Sequence, residues 1–209
     1  MIDATFPRVR DAHTERIRRA LVEVFDAERD DASARLEAGI GVLLASRWDG
    51  ELADVIAARS KDTAAEIGER VAFALGSGFD PDLMDEWLAE SSRIAAEGIN
   101  GSIREQLDGV DREGLDEVFR NVSDVHAPQY AVQLTTKASN FGAHDGAKAG
   151  GAEFKMWKTT SGNPRSSHSA MNGEVVRLSE NFSNGLAWPG DPSGGPDEVA
   201  NCMCALVFL

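Results

Sequence analysis

Along the first two thirds of the chain, apolar residues recur three and four positions apart, a spacing that predicts helices. Val9, Ile17, Leu21, Val24 and Phe25 mark a helix over residues 7–29, with Thr5 or Asp3 to cap it and Pro7 in its first turn. Leu36, Ile40, Val42, Leu43 and Leu44 mark a second over 32–47, interrupted by Gly39 and Gly41. Trp48-Asp49-Gly50 reads as a turn. Leu52, Val55, Ile56, Ala64, Ile67, Val71 and Leu75 carry a third over 51–76, which Gly76-Ser77-Gly78 ends. A fourth starts with Asp80 as cap and Pro81 at the first helical position, and runs through Trp87 and Leu88 to Leu107. Asp111 opens a short helix that ends at Asn121. His126-Ala127-Pro128 reads as a joint, and a last long helix spans 128–149.

From Gly150 the pattern changes. Apolar runs shorten to strand length at Phe154–Trp157, Glu174–Leu178 and Ala205–Phe208. Turn signals separate them at Gly162-Asn163-Pro164, Asn172-Gly173 and Trp188-Pro189-Gly190. The expected class is therefore α+β: a long-helix region, then a small loop-rich module with short strands. The expected division is an acidic helical region 1–126 and a second part 127–209, made of a linking helix 128–149 and a compact module 150–209.

At 209 residues, with 42% hydrophobic and 27% charged, the chain has the material for a packed core. No apolar run reaches the roughly 18 residues that a bilayer span needs, so no membrane is expected. The N-terminus shows no apolar stretch of a secretory signal, and a cytoplasmic origin is expected. The net charge of -14 is unevenly spread. Residues 130–209 hold six Lys/Arg and seven Asp/Glu, and residues 1–129 hold 15 and 28. Such an excess of acid repels a phosphate backbone, so direct DNA binding through the first region is not expected. It suits either a solvated helical surface or docking on a basic partner.

Candidate chemistry is confined to the last third. The two cysteines, Cys202 and Cys204, are one residue apart, and a bridge at that spacing is strained. With His168 they supply three donors of the types zinc prefers. By type alone, His144 and Asp191 are candidates for a fourth. The other reading of the three is two packed thiols and a hydrogen-bonded histidine. Arg165-Ser166-Ser167-His168 with Asn172 allows an enzymatic alternative: a small metal-dependent hydrolase or nuclease, with His168 as base and a metal at Cys202 and Cys204. Trp157 and Trp188 read as core anchors or partner contacts, Phe182 as core, and Asp191 as a turn residue capping backbone.

The order of these residues resembles the phage Mu F-like minor head protein family, also called the phage head morphogenesis family. The likeness runs from about Gln133 to Val207. It comprises Thr135-Thr136, Asn140-Phe141-Gly142, Lys155-Met156-Trp157, Arg165 with His168 three residues on, Asn172-Gly173 before Val175-Val176, Pro189-Gly190-Asp191-Pro192, and Asn201-Cys202-Met203-Cys204. Some members carry a full set of zinc ligands; here Arg165 and Val199 stand at two of those positions, which leaves His168, Cys202 and Cys204. The resemblance implies a structural, non-enzymatic minor capsid protein inside the virion head near the portal vertex, assembled in the host cytoplasm. Its implied partners are portal protein, major capsid protein, or both.

Overall fold

Helix α1 (Pro7–Glu37) is one element of 31 residues where the periodicity suggested two. Residues 29–36 hold no breaker, and the stop comes at Gly39 in the left-handed region. There Gly39 donates to the Leu36 carbonyl and Ile40 to that of Arg35, the paired bonds of a glycine C-cap. The computed structural model describes residues 1–40 and 44–209. Gly41, Val42 and Leu43 of the expected second helix lie outside the described residues. Trp48-Asp49-Gly50 is not a turn but the start of α2 (Arg47–Ala74). Trp48 is buried, and its indole N–H donates to Asp31 at 3.0 Å, a tertiary bond that the local pattern does not reveal.

Helix α2 stops at the expected Gly76, by the same pair of glycine-cap bonds. Asp80 then caps a 3-10 turn (Pro81–Met84) with Pro81 at its start, and α3 (Asp85–Gln106) follows. Asp111 caps α4 (Arg112–Asn121) by accepting from Gly114 N–H at 2.9 Å. The joint expected at 126–128 is not a break. A π turn (Val122–His126) leads straight into α5 (Ala127–Ala149). Its wider turn is closed by Ala127 N–H to the Val122 carbonyl and carries the helix past Pro128, which has no N–H to give.

The strands β1 (Ile2–Asp3), β2 (Phe154–Lys158), β3 (Val175–Arg177) and β4 (Ala205–Phe208) form an antiparallel sheet in the order β1-β4-β2-β3. Trp157 faces Leu206 across β2 and β4, and Ile2 faces Phe208 across β1 and β4. Strand β1 was not expected: two residues carry no periodicity, and only the pairing with β4 makes them a strand. Two one-turn helices, α6 (Ser166–Ala170) and α7 (Gly195–Val199), fill the connections. The class is α+β, with long N-terminal helices and a small sheet module.

The compact units do not divide at residue 126. One comprises residues 1–14, 60–85 and 132–209; the other comprises 15–59 and 86–131. The sheet module therefore draws in the chain's first residues through β1, and the end of α2. Its core gathers Ile67, Val71, Ala143, Ala147, Trp157, Phe182, Leu206 and Phe208. In the other unit Leu21, Phe25, Leu52, Ile56, Leu88, Ile103 and Phe119 are buried.

Within the first unit α2 and α5 touch backbone to backbone. A Cβ at Gly142 would overlap the Ala64 carbonyl oxygen, and one at Gly146 that of Gly68. Only glycine permits this approach. Gly142→Ala should destabilise by ~3 kcal/mol, since the atom opposite is rigid backbone. Gly98→Ala, whose added methyl meets nothing within 4 Å, should be neutral or stabilise by up to about 1 kcal/mol. Urea unfolding of the two variants checks both.

The other unit buries an acid. Glu28 is 0% exposed, and among the described residues neither carboxyl oxygen meets a donor in good hydrogen-bond geometry. Burial drives its pKa up to about 8, aided by Asp49 and Glu51 and opposed by Asn100 and Arg104. The folded value thus lies above the unfolded one of 4.5. The neutral acid's stabilisation is full below 4.5 and is lost as pH rises through about 8, with a slope of up to about 1.4 kcal/mol per pH unit between. Glu28→Gln should flatten the decline in stability from about pH 5 to about pH 8, and should melt higher than wild type at the alkaline end. Thermal melts across that range test this.

Candidate metal centre

Trp157 on the central strand β2 is fully buried, and the site is built above it. After β2 the chain turns back through α6, which places His168 with its ring edge-on to Trp157 at 5.0 Å between centroids. Asn172 and Gly173 lock that return. The Asn172 side chain accepts from Thr159 N–H at 2.9 Å, and Gly173, at φ 89°, donates to the Trp157 carbonyl at 2.8 Å. On the far side Asn201 takes the left-handed conformation, and the chain then runs extended into β4. Side chains alternate along extended backbone, so Cys202 and Cys204 both turn inward while Met203 stays 46% exposed. A spacing of two is what places both thiols on one face.

His168 Nδ1 lies 3.6 Å from each sulfur. The three donor atoms all fall within 4.8 Å of one another, all three residues are buried, and the group can hold a metal ion. The other ring nitrogen, Nε2, is 2.9 Å from Glu198. Glu198 is itself held by Asn184 at 3.2 Å and Ser167 at 3.4 Å. A carboxylate on Nε2 aims the Nδ1 lone pair at the sulfurs once a metal takes the proton's place.

The metal-free electrostatics favour charge separation. The Cys202 thiol is pulled down to about 5, chiefly by the hydrogen bond from Cys204, then by His168, against the opposing effect of burial. Cys204 is pushed up, because its proton serves the Cys202 thiolate and burial resists a second anion. The Trp157 N–H acts on the Cys204 sulfur in the opposite sense. For His168 burial works against the imidazolium, but the Cys202 thiolate and Glu198 outweigh it and raise the pKa. The buried Arg10 guanidinium adds positive charge near both thiols. It donates to Thr136 Oγ1 at 2.9 Å and to the Cys204 carbonyl at 3.4 Å.

The remaining sequence candidates hold the frame. The Arg165 guanidinium donates to the Asp197 and Ala200 carbonyls, clamping the end of α7 just before the cysteines. The Pro189 carbonyl accepts from Asn140 at 3.0 Å. Gly190 sits against the α5 backbone, where a Cβ would lie 3.2 Å from the Lys137 nitrogen. Asp191 caps backbone, accepting from Ala187 N–H at 2.9 Å and Ser193 N–H at 3.0 Å. That occupies the carboxylate offered as a fourth ligand. His144, the other candidate, bonds the Leu178 carbonyl at 3.1 Å and packs at a tilt against the Trp188 ring. Neither belongs to the metal group. Sequence reasoning missed Glu198 and Arg10 and held Asn140 only as part of the resemblance, since no local spacing ties any of them to the donors. Only the types of His168, Cys202 and Cys204 advertise the site.

The purified protein should carry one metal ion per chain by elemental analysis, and Cys202→Ser should carry none. Chelation should lower Tm by ~5 °C or more. Acidification should release the ion, since protons compete for the thiolates and the imidazole. A wild-type protein that folds and takes up no metal overturns the centre.

No protein-family model matches this chain, and neither a curated protein nor a solved structure matches it.

Proposed function

We propose that this chain is a structural minor head protein of a tailed phage, docked on portal or major capsid protein inside the head near the portal vertex, with no chemistry of its own. One observation carries this reading. The residues behind the resemblance converge on one module, and they serve to build it. Trp157 fills its core, Asn172 and Gly173 close the return from β2, Arg165 clamps α7, Gly190 and Asp191 form a turn against α5, and Asn201 turns the chain into the cysteines. Asn172, which the enzymatic alternative uses to orient His168, bonds Thr159 instead, and Glu198 occupies the histidine's second nitrogen.

In this reading the ion is zinc, and its work is structural. Zinc takes thiolates at about 2.3 Å and imidazole at about 2.0–2.1 Å, so a tetrahedral ion sets its N···S edges near ~3.6 Å. Both Nδ1···Sγ distances are 3.6 Å. A thin sheet module gains from such a tie, because it has few aliphatic side chains to bury.

Docking falls to the helical unit of residues 15–59 and 86–131. It holds 20 of the acidic and 11 of the basic residues, which suits a basic face on the partner and keeps the protein off packaged DNA.

Quantitative mass spectrometry of purified particles, beside heads assembled without portal, tests the role. The expected result is a low copy number that vanishes with the portal. Absence from particles overturns the reading. So does a hydrolytic activity that His168→Ala abolishes with the fold intact.

A further inference from the structure

A cleft of about 310 Å³ opens directly onto His168, Cys202 and Cys204. Its other walls are Ser161, Asn163, Pro164, Arg165, Asn201 and Met203. Among the described residues, no fourth histidine, cysteine or carboxylate joins the metal group. The carboxylate closest in role, Glu198, is held on the opposite ring nitrogen of His168 and faces away from the sulfurs. An ion held by these three donors therefore has one side towards protein and one towards the cleft. Three protein ligands leave a tetrahedral ion one exchangeable position, even where the ion's main work is to tie the fold together.

We infer that the fourth coordination position is filled from outside the chain, by a small monodentate donor of anionic or thiol chemistry entering through this cleft. The inference rests on the metal-centre reading above. The chemistry of the donor follows from the walls. Two thiolates and a neutral imidazole balance a dication, so the centre itself does not repel an anion. Arg165 adds a fixed positive charge at the wall: its guanidinium is anchored on the neutral Asp197 and Ala200 carbonyls, and it offsets the Glu198 carboxylate that lies behind the histidine ring. Asn163 and Ser161 offer neutral hydrogen-bonding groups, and the exposed Met203 side chain gives the rim a soft, apolar edge.

Cobalt(II) makes the position visible. The full-length protein, freed of metal and titrated with cobalt, should develop thiolate-to-cobalt charge-transfer bands and the visible bands of a tetrahedral ion. Adding azide, or β-mercaptoethanol in a separate arm, should shift the visible bands saturably with one donor per chain. Asn163→Trp, an exposed loop position, should retain the charge-transfer bands while weakening the donor by about tenfold, because the indole fills the entrance. Cobalt bands that form normally and stay inert to both donors overturn the open position and leave the metal centre standing. Failure of the charge-transfer bands to form overturns both. A shift that Asn163→Trp leaves unchanged removes the cleft as the route and overturns the assignment.

Discussion

The contact on which the sheet-bearing unit depends is the meeting of α2 and α5 without side chains between them. At Gly142 and Gly146 the α5 backbone lies directly on the Ala64 and Gly68 carbonyls. Such proximity fixes both the distance and the rotation of α5, since a turn about its axis would drive a Cβ into backbone. Residues 134–143 of α5 are buried without interruption. Yet this is no apolar rod. Thr135, Thr136, Lys137, Ser139 and Asn140 are among them, so one helix carries a bare face for α2, small apolar residues for the core and polar side chains for the loops.

The polar face does the second part of the work. Asn140 donates from its amide nitrogen to the carbonyls of Thr136, Pro189 and Cys204, at 3.0, 3.0 and 2.9 Å. One side chain thus joins the helix, the proline-glycine turn and the cysteine strand. Arg10 reaches the same Cys204 carbonyl. Buried carbonyls left unbonded would each cost about 1–3 kcal/mol, so these donors hold the strand's path as well as its position. Arg165 and Glu198 grip the other side of the site. The three donor atoms are therefore placed by groups that do not themselves ligate, as a preorganised centre requires.

What could be read from the sequence was what local chemistry decides. Asp80 and Asp111 cap their helices through bonds two and three residues long, and Gly76 ends α2 through its own backbone, so each announces itself in a short window. The strand positions after residue 150 were legible for the same reason, as were the donor types of His168, Cys202 and Cys204. Errors arose where a distant partner decides. Trp48 looked like part of a turn until Asp31 and burial placed it in a helix. Ile2 and Asp3 become a strand only beside Val207 and Phe208. Pro128 signalled a break that the π turn absorbs. The lack of a side chain at Gly142 and Gly146 is what the neighbouring backbone demands, and no local pattern reveals it. Glu198 is 30 residues from the histidine it orients, and no spacing rule connects them.

The pairing of Ile2 with Phe208 also sets an order of events on the ribosome. Ile2 and Asp3 must wait until Val207 and Phe208 have been made before β1 has a neighbour, and Arg10 waits likewise for the Cys204 carbonyl. Loop closure over such a span is slow compared with local helix formation. The helical unit, complete by residue 131, can fold while the rest is still being made. The sheet-bearing unit cannot close until Phe208 is free of the exit tunnel. Cys202 and Cys204 lie in the stretch that leads into β4, so ion capture and closure of the sheet fall together, and a chain that stalls short of residue 202 presents an unpaired strand instead of a finished centre.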